Sequence, residues 1–202
     1  RQFRKRVLML KLAPVEIQNF KDVYEDMLEQ FPACEMKDYN TFINLFEQGQ
    51  YKLLSVVDDN VRIGYLLLYE SSVENVLWLD YIAVFRQYQS KGYGRMIFDS
   101  LINQFNTYKG IYLEVEKADE SVINTIRRIK FYKSLGAKKL DINYFYPNKD
   151  GCIDLDLYFL PFCKAELPLK EVSFRVIKDV FNALHKELSH IDNVYCKITG
   201  QY

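Results

Sequence analysis

The sequence predicts an α/β fold, a sheet with helices packed against it. Apolar stretches rich in branched and aromatic residues recur along the chain. They alternate with stretches whose apolar residues repeat at helical spacing. Between Trp78 and Ser100 one unit shows both: a strand, a polar loop, then a helix whose first turn carries Gly92 and Gly94.

Taken in order, Val7 to Leu12 reads as a first strand, with Pro14 as punctuation. Val15 to Gln30 is a helix with Ile17, Phe20, Val23, Tyr24, Met27 and Leu28 on one side, ended by Phe31-Pro32. Asp38 to Glu47 is a second helix, carrying Phe42, Ile43, Leu45 and Phe46 and stopping near Gly49. Tyr51 to Val57 and Val61 to Tyr69 form a hairpin over Asp58-Asp59-Asn60. Val76 to Phe85 is the central strand. In the helix after it, Met96, Ile97, Leu101, Ile102 and Phe105 recur at helical spacing, and Gly110 breaks it. Ile111 to Glu116 alternates like a strand, Lys117 to Ser121 is a polar loop, and Val122 to Leu135 is a helix closed by Gly136. Lys139 to Tyr146 and Cys152 to Leu160 are two closing strands joined by a turn at Pro147 to Gly151. Beyond Pro161, Glu171 to Leu188 is an amphipathic helix with Val172, Val176, Ile177, Val180, Phe181, Leu184 and Leu188 on one stripe. That stripe packs on the same domain or serves a partner. Asn193 to Thr199 is expected to add a short strand. The expected division is a domain over 7–161 and a C-terminal extension over 162–202.

The totals narrow the function classes. At 202 residues the chain suits one domain, or one domain with an appendage, and 16 Tyr with 14 Phe supply a large core. Lys and Arg number 27, as do Asp and Glu, so nothing global favours a nucleic-acid partner. Cys34, Cys152, Cys163 and Cys196 show no CxxC spacing and only 2 His exist, which argues against a metal. Free, mostly buried thiols in a reducing cytoplasm are expected. No apolar run reaches membrane-spanning length and no signal peptide is visible, so the expected protein is cytoplasmic and off the membrane.

The informative loop is Arg86 to Gly94. It is polar and basic, and two glycines let its main chain approach a bulky anion. The first amides of the following helix have no helical partner, and the macrodipole adds positive charge. Together these make a phosphate cradle, although a tight turn and helix cap would use the same residues. Gln89-Ser90-Lys91-Gly92-Tyr93-Gly94 fits Gln/Arg-x-x-Gly-x-Gly/Ala. It lacks the Gly-Lys-Ser/Thr end of a Walker loop and the GxGxxG spacing of a dinucleotide fingerprint. It follows a strand ending Ile82-Ala83-Val84. A second strand and a helix with Phe131-Tyr132-Lys133-Ser134-Leu135-Gly136-Ala137 come after it. From Val7 to Pro161 the chain thus resembles the GNAT superfamily of N-acetyltransferases.

The resemblance implies a central mixed, mostly antiparallel sheet that splays between the strand ending at Val84 and the strand ending at Glu116. It has helices on its faces and an extra C-terminal helix. Acetyl-CoA would be the co-substrate, with no metal. Its pyrophosphate would lie on Gln89, Ser90, Lys91, Gly92, Tyr93, Gly94 and Arg95. Its pantetheine would pair with Ile82, Ala83 and Val84 like an added strand, touching Asn124. Arg127 or Arg128 would meet CoA phosphate or form a solvated helix face.

Acetyl transfer to an amine needs a base, a polarised thioester oxygen and a stabilised leaving thiolate. Main-chain N–H at Ala83 or Val84 answers the second need, and the Tyr132 phenol the third. For the base, histone-type members carry a glutamate where this chain has Trp78. Members that acetylate ribosomal-protein N-termini use a Leu-Glu-Val segment, matched by Leu113-Glu114-Val115. Glu114 is therefore the first candidate, Asp80 the second and Glu116 the third. Glu114 reads equally as a hydrogen-bonded structural carboxylate. The acceptor wall would come from Phe31, Pro32, Glu35, Tyr144 and Tyr146. The expected activity is direct attack by a primary amine of a small molecule, or an α-amine of a peptide, in a monomer or homodimer. The rival is a GNAT-like module that binds CoA or a protein without transferring acetyl groups.

Overall fold

The structure is a computed structural model that describes residues 10–201. Of the first expected strand, residues 7–9 lie outside the described residues. The observed strand, β1, is Lys11–Pro14. A single 3-10 turn at Ile17–Asn19 precedes α1, Phe20–Gln30, so the first helix starts later than its apolar pattern suggests. α2 is Tyr39–Glu47, and the Asp38 side chain caps it by accepting from the Thr41 N–H at 2.9 Å. β2 (Tyr51–Asp58) and β3 (Val61–Ser71) form the hairpin, turned by Asp59 and Asn60 at φ 48° and 68°. β4 is Val76–Val84, α3 is Tyr93–Gln104, β5 is Gly110–Glu116 and α4 is Ile123–Leu135.

Four expectations need correcting. Gly110 does not break α3, which ends at Gln104; it opens β5, where a Cβ would lie 2.5 Å from the Leu160 carbonyl oxygen. The expected strand from Lys139 to Tyr146 is two pieces on one neighbour, β6 (Lys138–Lys139) and β7 (Tyr144–Asn148), both paired to β8 (Gly151–Pro161). The last expected strand is instead a helix, α6 (Ile191–Thr199), whose Val194 and Ile198 fall one turn apart and are buried. The cysteines are not buried: Cys34 and Cys163 are exposed, Cys152 and Cys196 partly so.

The eight strands form one sheet, ordered β1-β2-β3-β4-β5-β8-β6, with β7 also on β8. Every pairing is antiparallel except β4 with β5. β3 is buried on both sides from Ile63 to Tyr69, as a strand covered on two faces must be. On one face Tyr65, Leu67, Trp78 and Tyr112 pack with Phe20, Met27 and Phe42 of α1 and α2. On the other, Leu66, Leu68, Leu77 and Leu113 pack with Ile97, Phe98 and Leu101 of α3 and Tyr132 of α4.

The C-terminal extension completes the first face. α5 (Lys170–Leu184) is shorter than its pattern suggests, ending at the cap residue His185. Its stripe, Val176, Ile177, Val180, Phe181 and Leu184, joins the cluster containing Tyr69, Tyr112 and Tyr144. Polar contacts register it: Asp179 accepts from the Tyr69 hydroxyl at 3.1 Å and from the Ser71 hydroxyl at 2.6 Å.

Two irregularities of the sheet open a gap in it. β4 and β5 pair only at Leu77–Ile111, Trp78–Tyr112 and Leu79–Leu113, and then part, while β5 stays on β8 through Glu116. In β4, Leu79 faces Leu68 and Tyr81 faces Leu67, which leaves Asp80 as an extra, bulged residue. Asp80 and Tyr81 therefore both reach the α1–α2 face.

Candidate active site

A cleft of about 360 Å³ opens where β4 and β5 part. Its walls are Phe31, Pro32 and Glu35 from the α1–α2 connection, Asp80 to Ile82 from β4, and Glu114 and Glu116 from β5. Arg128 and Tyr132 of α4 and Tyr146 of β7 close it. Of the residues singled out in the sequence, the candidate bases, the candidate acid Tyr132 and most of the expected acceptor wall thus meet here. Tyr144 does not line the cleft. It stands behind Glu114 and donates its hydroxyl to one carboxylate oxygen. Trp78 donates its indole N–H to the other at 3.3 Å. The residue set aside because it carries no carboxylate therefore helps hold the carboxylate of the next strand.

Glu114 keeps some exposure toward the cleft but is otherwise enclosed. Burial, and secondly the charge of Asp80, push its carboxyl up to about 8. The two hydrogen bonds and the Lys37 ammonium pull it back only in part. Asp80 differs. Lys37 meets it at 2.9 Å, with side chains 6% and 2% exposed, and the Tyr51 hydroxyl donates to the same oxygen at 2.5 Å. That carboxylate is already committed to an ion pair. Glu116 is likewise paired, with Arg128 at 2.6 Å, so Arg128 is engaged at the cleft wall. Glu35 is half-buried, and its carboxyl is raised by burial, then by Glu116 and Asp80, against the opposing pull of Arg128. The Glu35 main-chain oxygen accepts from Tyr146 at 3.1 Å and also from Tyr81, which fixes the loop that carries it.

Tyr132 is held through its ring, edge-on to Phe98 with centroids 5.9 Å apart. Burial raises its hydroxyl above the ordinary phenol value. The α3–α4 contact that places it uses Gly94: a Cβ there would lie 3.1 Å from the Phe131 ring. Gly94 thus serves helix packing, whereas Gly92 adopts φ 83° in open space as the N-cap of α3. Ser90 also lies at positive φ, 62°. In the rest of the loop, Lys91 sits over the Tyr88 ring at 5.3 Å and the Tyr93 hydroxyl donates to Asp58 at 2.7 Å. The Arg95 guanidinium donates to the Ser134 carbonyl at 3.0 Å and to its hydroxyl at 2.9 Å, so this side chain ties α3 to α4. Asn124 is exposed on the first turn of α4, away from the cleft wall.

The open edge of β4 is set by its register. The Phe85 N–H bonds the Ile63 carbonyl at 2.9 Å. Antiparallel pairing alternates, so Ala83 turns its main-chain groups to Tyr65, while Ile82 and Val84 turn theirs to the gap. Of the two amides expected to be free, Val84 faces the opening and Ala83 lies in the ladder.

A parted sheet beside a helix N-terminus with a glycine at positive φ is the geometry the loop motif implied. The family model described as Acetyltransferase (GNAT) family matches residues 20–137. The chain belongs to the GNAT family of acetyltransferases. Solved structures agree on this fold. A Bacteroides thetaiotaomicron protein assigned to the GNAT family is 20% identical with a TM-score of 0.65, covering 91% of this chain and 98% of its own. The Escherichia coli ribosomal-protein-S18-alanine N-acetyltransferase is 22% identical with a TM-score of 0.58, covering 80% and 99%. The Vibrio cholerae spermidine N-acetyltransferase, solved with CoA and spermine, is 15% identical with a TM-score of 0.57, covering 76% and 96%. No curated protein matches. Among the described residues no helix is long and apolar enough to cross a membrane, and no His, Cys, Asp or Glu cluster suits a metal ion.

Nothing local in the sequence marked Lys37, Gln30 or Tyr81 for this GNAT site. Lys37 reaches Asp80 across 43 residues of chain. Tyr81 faces the cleft only because the bulge at Asp80 shifts the alternation.

Proposed function

We propose that the protein transfers an acetyl group from acetyl-CoA to a primary amine by direct attack. One observation carries the reading: Glu114 and Tyr132 line the same cleft, at the point where the sheet parts. The acceptor is a small amine, or the α-amine of a peptide, that arrives as an ammonium. Glu35 attracts that charge, and Phe31 and Tyr146 supply flat apolar walls. Glu114 takes the proton, directly or through one water, since the ammonium has no lone pair. The amine nitrogen then attacks the thioester carbon. The oxygen that gains charge is met by main-chain N–H of Ile82 or Val84 on the open edge. As the C–S bond breaks, the sulfur takes up a proton from the Tyr132 hydroxyl, and the second proton, shed by the new amide nitrogen, passes through water to restore the phenol. The diphosphate of the donor rests on the amides at the start of α3, from Gly92 to Arg95. No cysteine acts, and no acyl-enzyme forms.

The test is thiol release from acetyl-CoA with a panel of amines. Turnover that rises with pH through about 8 is expected from a base that must lose its proton. Tyr132→Phe should cut kcat by about 10²- to 10⁴-fold while CoA still binds. Unchanged turnover removes Tyr132 from the mechanism. Tight CoA binding with no turnover on any amine would make the protein a CoA-binding module instead.

A further inference from the structure

One main-chain group on the open edge of β4 is already occupied by side chains. The Val84 carbonyl, one of the main-chain groups turned to the gap, accepts from the Gln89 side-chain amide at 2.9 Å. The Gln30 side-chain amide reaches the same oxygen at 3.5 Å. A carbonyl oxygen has two lone pairs, and the closer of these two donors is Gln89. Gln89 also donates to the side-chain oxygen Oε1 of Gln30 at 3.2 Å. Gln30 in turn is anchored by Asp26 at 2.7 Å, and Asp26 accepts from the Tyr65 hydroxyl at 2.7 Å. So a primary amide from the loop that should grip the diphosphate plugs the strand position where a linear amide-bearing arm would pair.

We infer that Gln89 is an intramolecular stand-in for an amide N–H of the donor's arm. The arm must displace it from the Val84 carbonyl in order to bind. The inference rests on the proposal that acetyl-CoA is the donor. The chemistry matches: the plug and the arm both present an N–H to one carbonyl, so one can replace the other with no carbonyl left unpaired. The motif glutamine thereby acquires a role that a phosphate contact would not give it, since it competes with the donor. Gln30 is a positioning residue that holds the plug in place. Because it ends α1 and immediately precedes Phe31, it also ties the plugged state to the acceptor wall. When the unliganded protein meets no donor, the plug keeps the Val84 carbonyl satisfied, one of the groups by which an exposed edge invites pairing with another chain.

The experiment is titration calorimetry of wild type, Gln89→Ala and Gln30→Ala with two probes. CoA carries the diphosphate and the amide arm; ADP carries a diphosphate and no arm. Removing a competitor should tighten CoA binding of Gln89→Ala several-fold and leave ADP binding unchanged. Gln30→Ala should shift CoA binding in the same direction by less. In wild-type protein the Gln89 side-chain amide resonance should move on adding CoA and stay in place with ADP. CoA binding by Gln89→Ala that is equal to or weaker than wild type overturns the inference, and so does an equal gain with ADP. Failure of wild type to bind CoA would be a different result, since it removes the donor reading itself.

Discussion

The two sides of the parted sheet are built from different materials. The side proposed to hold the donor is main chain: the open edge of β4 at Ile82 and Val84, the positive-φ residues Ser90 and Gly92, and the first amides of α3. Its side chains mostly brace the frame, as Arg95 does on Ser134 and Tyr93 on Asp58. The side proposed for the acceptor is side chain. Carboxylates from the α1–α2 connection, β4 and β5 converge there, sorted by what each one meets. Asp80 meets a buried ammonium, Glu116 an arginine, and Glu114 two neutral donors. The last meets no cation directly, and burial raises its carboxyl to about 8. A backbone site is set by conformation and tolerates many side chains, whereas a site of opposed charges depends on each one.

The sharpest way to break this contrast is Glu114→Gln. It should lower kcat by about 10²- to 10⁴-fold, the usual worth of a general base, with CoA affinity unchanged. It should also stabilise the protein at high pH. The carboxyl is raised above its ordinary 4.5, so folding favours the protonated form. Its contribution to stability is complete below that value and is lost as pH rises through about 8. Thermal melts should therefore show the variant above wild type at pH 9 and level with it at pH 4. Wild-type activity in the variant would leave the acceptor side without its base.

Lys37→Met comes next. It leaves Asp80 buried without its cation, which should cost about 3–5 kcal/mol in denaturant unfolding. The donor side should be untouched, so CoA affinity per folded molecule should hold. A loss of affinity instead would show the two sides to be one unit. The smallest effect is expected from Gly92→Ala. Nothing crowds a Cβ at that position, so the cost is backbone strain alone, about 1–2 kcal/mol. It should appear as weaker CoA binding with kcat preserved. The reverse pattern would mean that the loop serves catalysis.

Legibility followed the same division. The proposed cradle at Gln89 to Gly94 can be read in six consecutive residues, because main-chain geometry is dictated locally by glycine and helix start. Glu114, the proposed base, can be picked out through its neighbours in the strand, and Tyr132, the proposed acid, through its place before Gly136. The role of Trp78 cannot, because its indole meets Glu114 on the neighbouring strand, 36 residues on. Tyr144 is expected in the acceptor wall, and only the pairing of β7 with β8 puts it behind the carboxylate. The segment of α6 reads as a strand because Val194, Ile198 and Thr199 are branched. Their spacing along a buried helical face outweighs that preference once α5 and β7 are in place.

By itself the sequence determined the alternation of strands and helices, the phosphate-type loop and the kinship they imply. These depend on periodicity and on local backbone freedom, both of which are written in neighbouring residues. Tertiary structure alone decided which carboxylate keeps its proton near neutral pH, which is neutralised by Lys37, and that Gln89 covers the carbonyl of Val84. Those outcomes depend on burial and on charges brought together from distant parts of the chain, where a few ångströms of separation decide the sign of the effect.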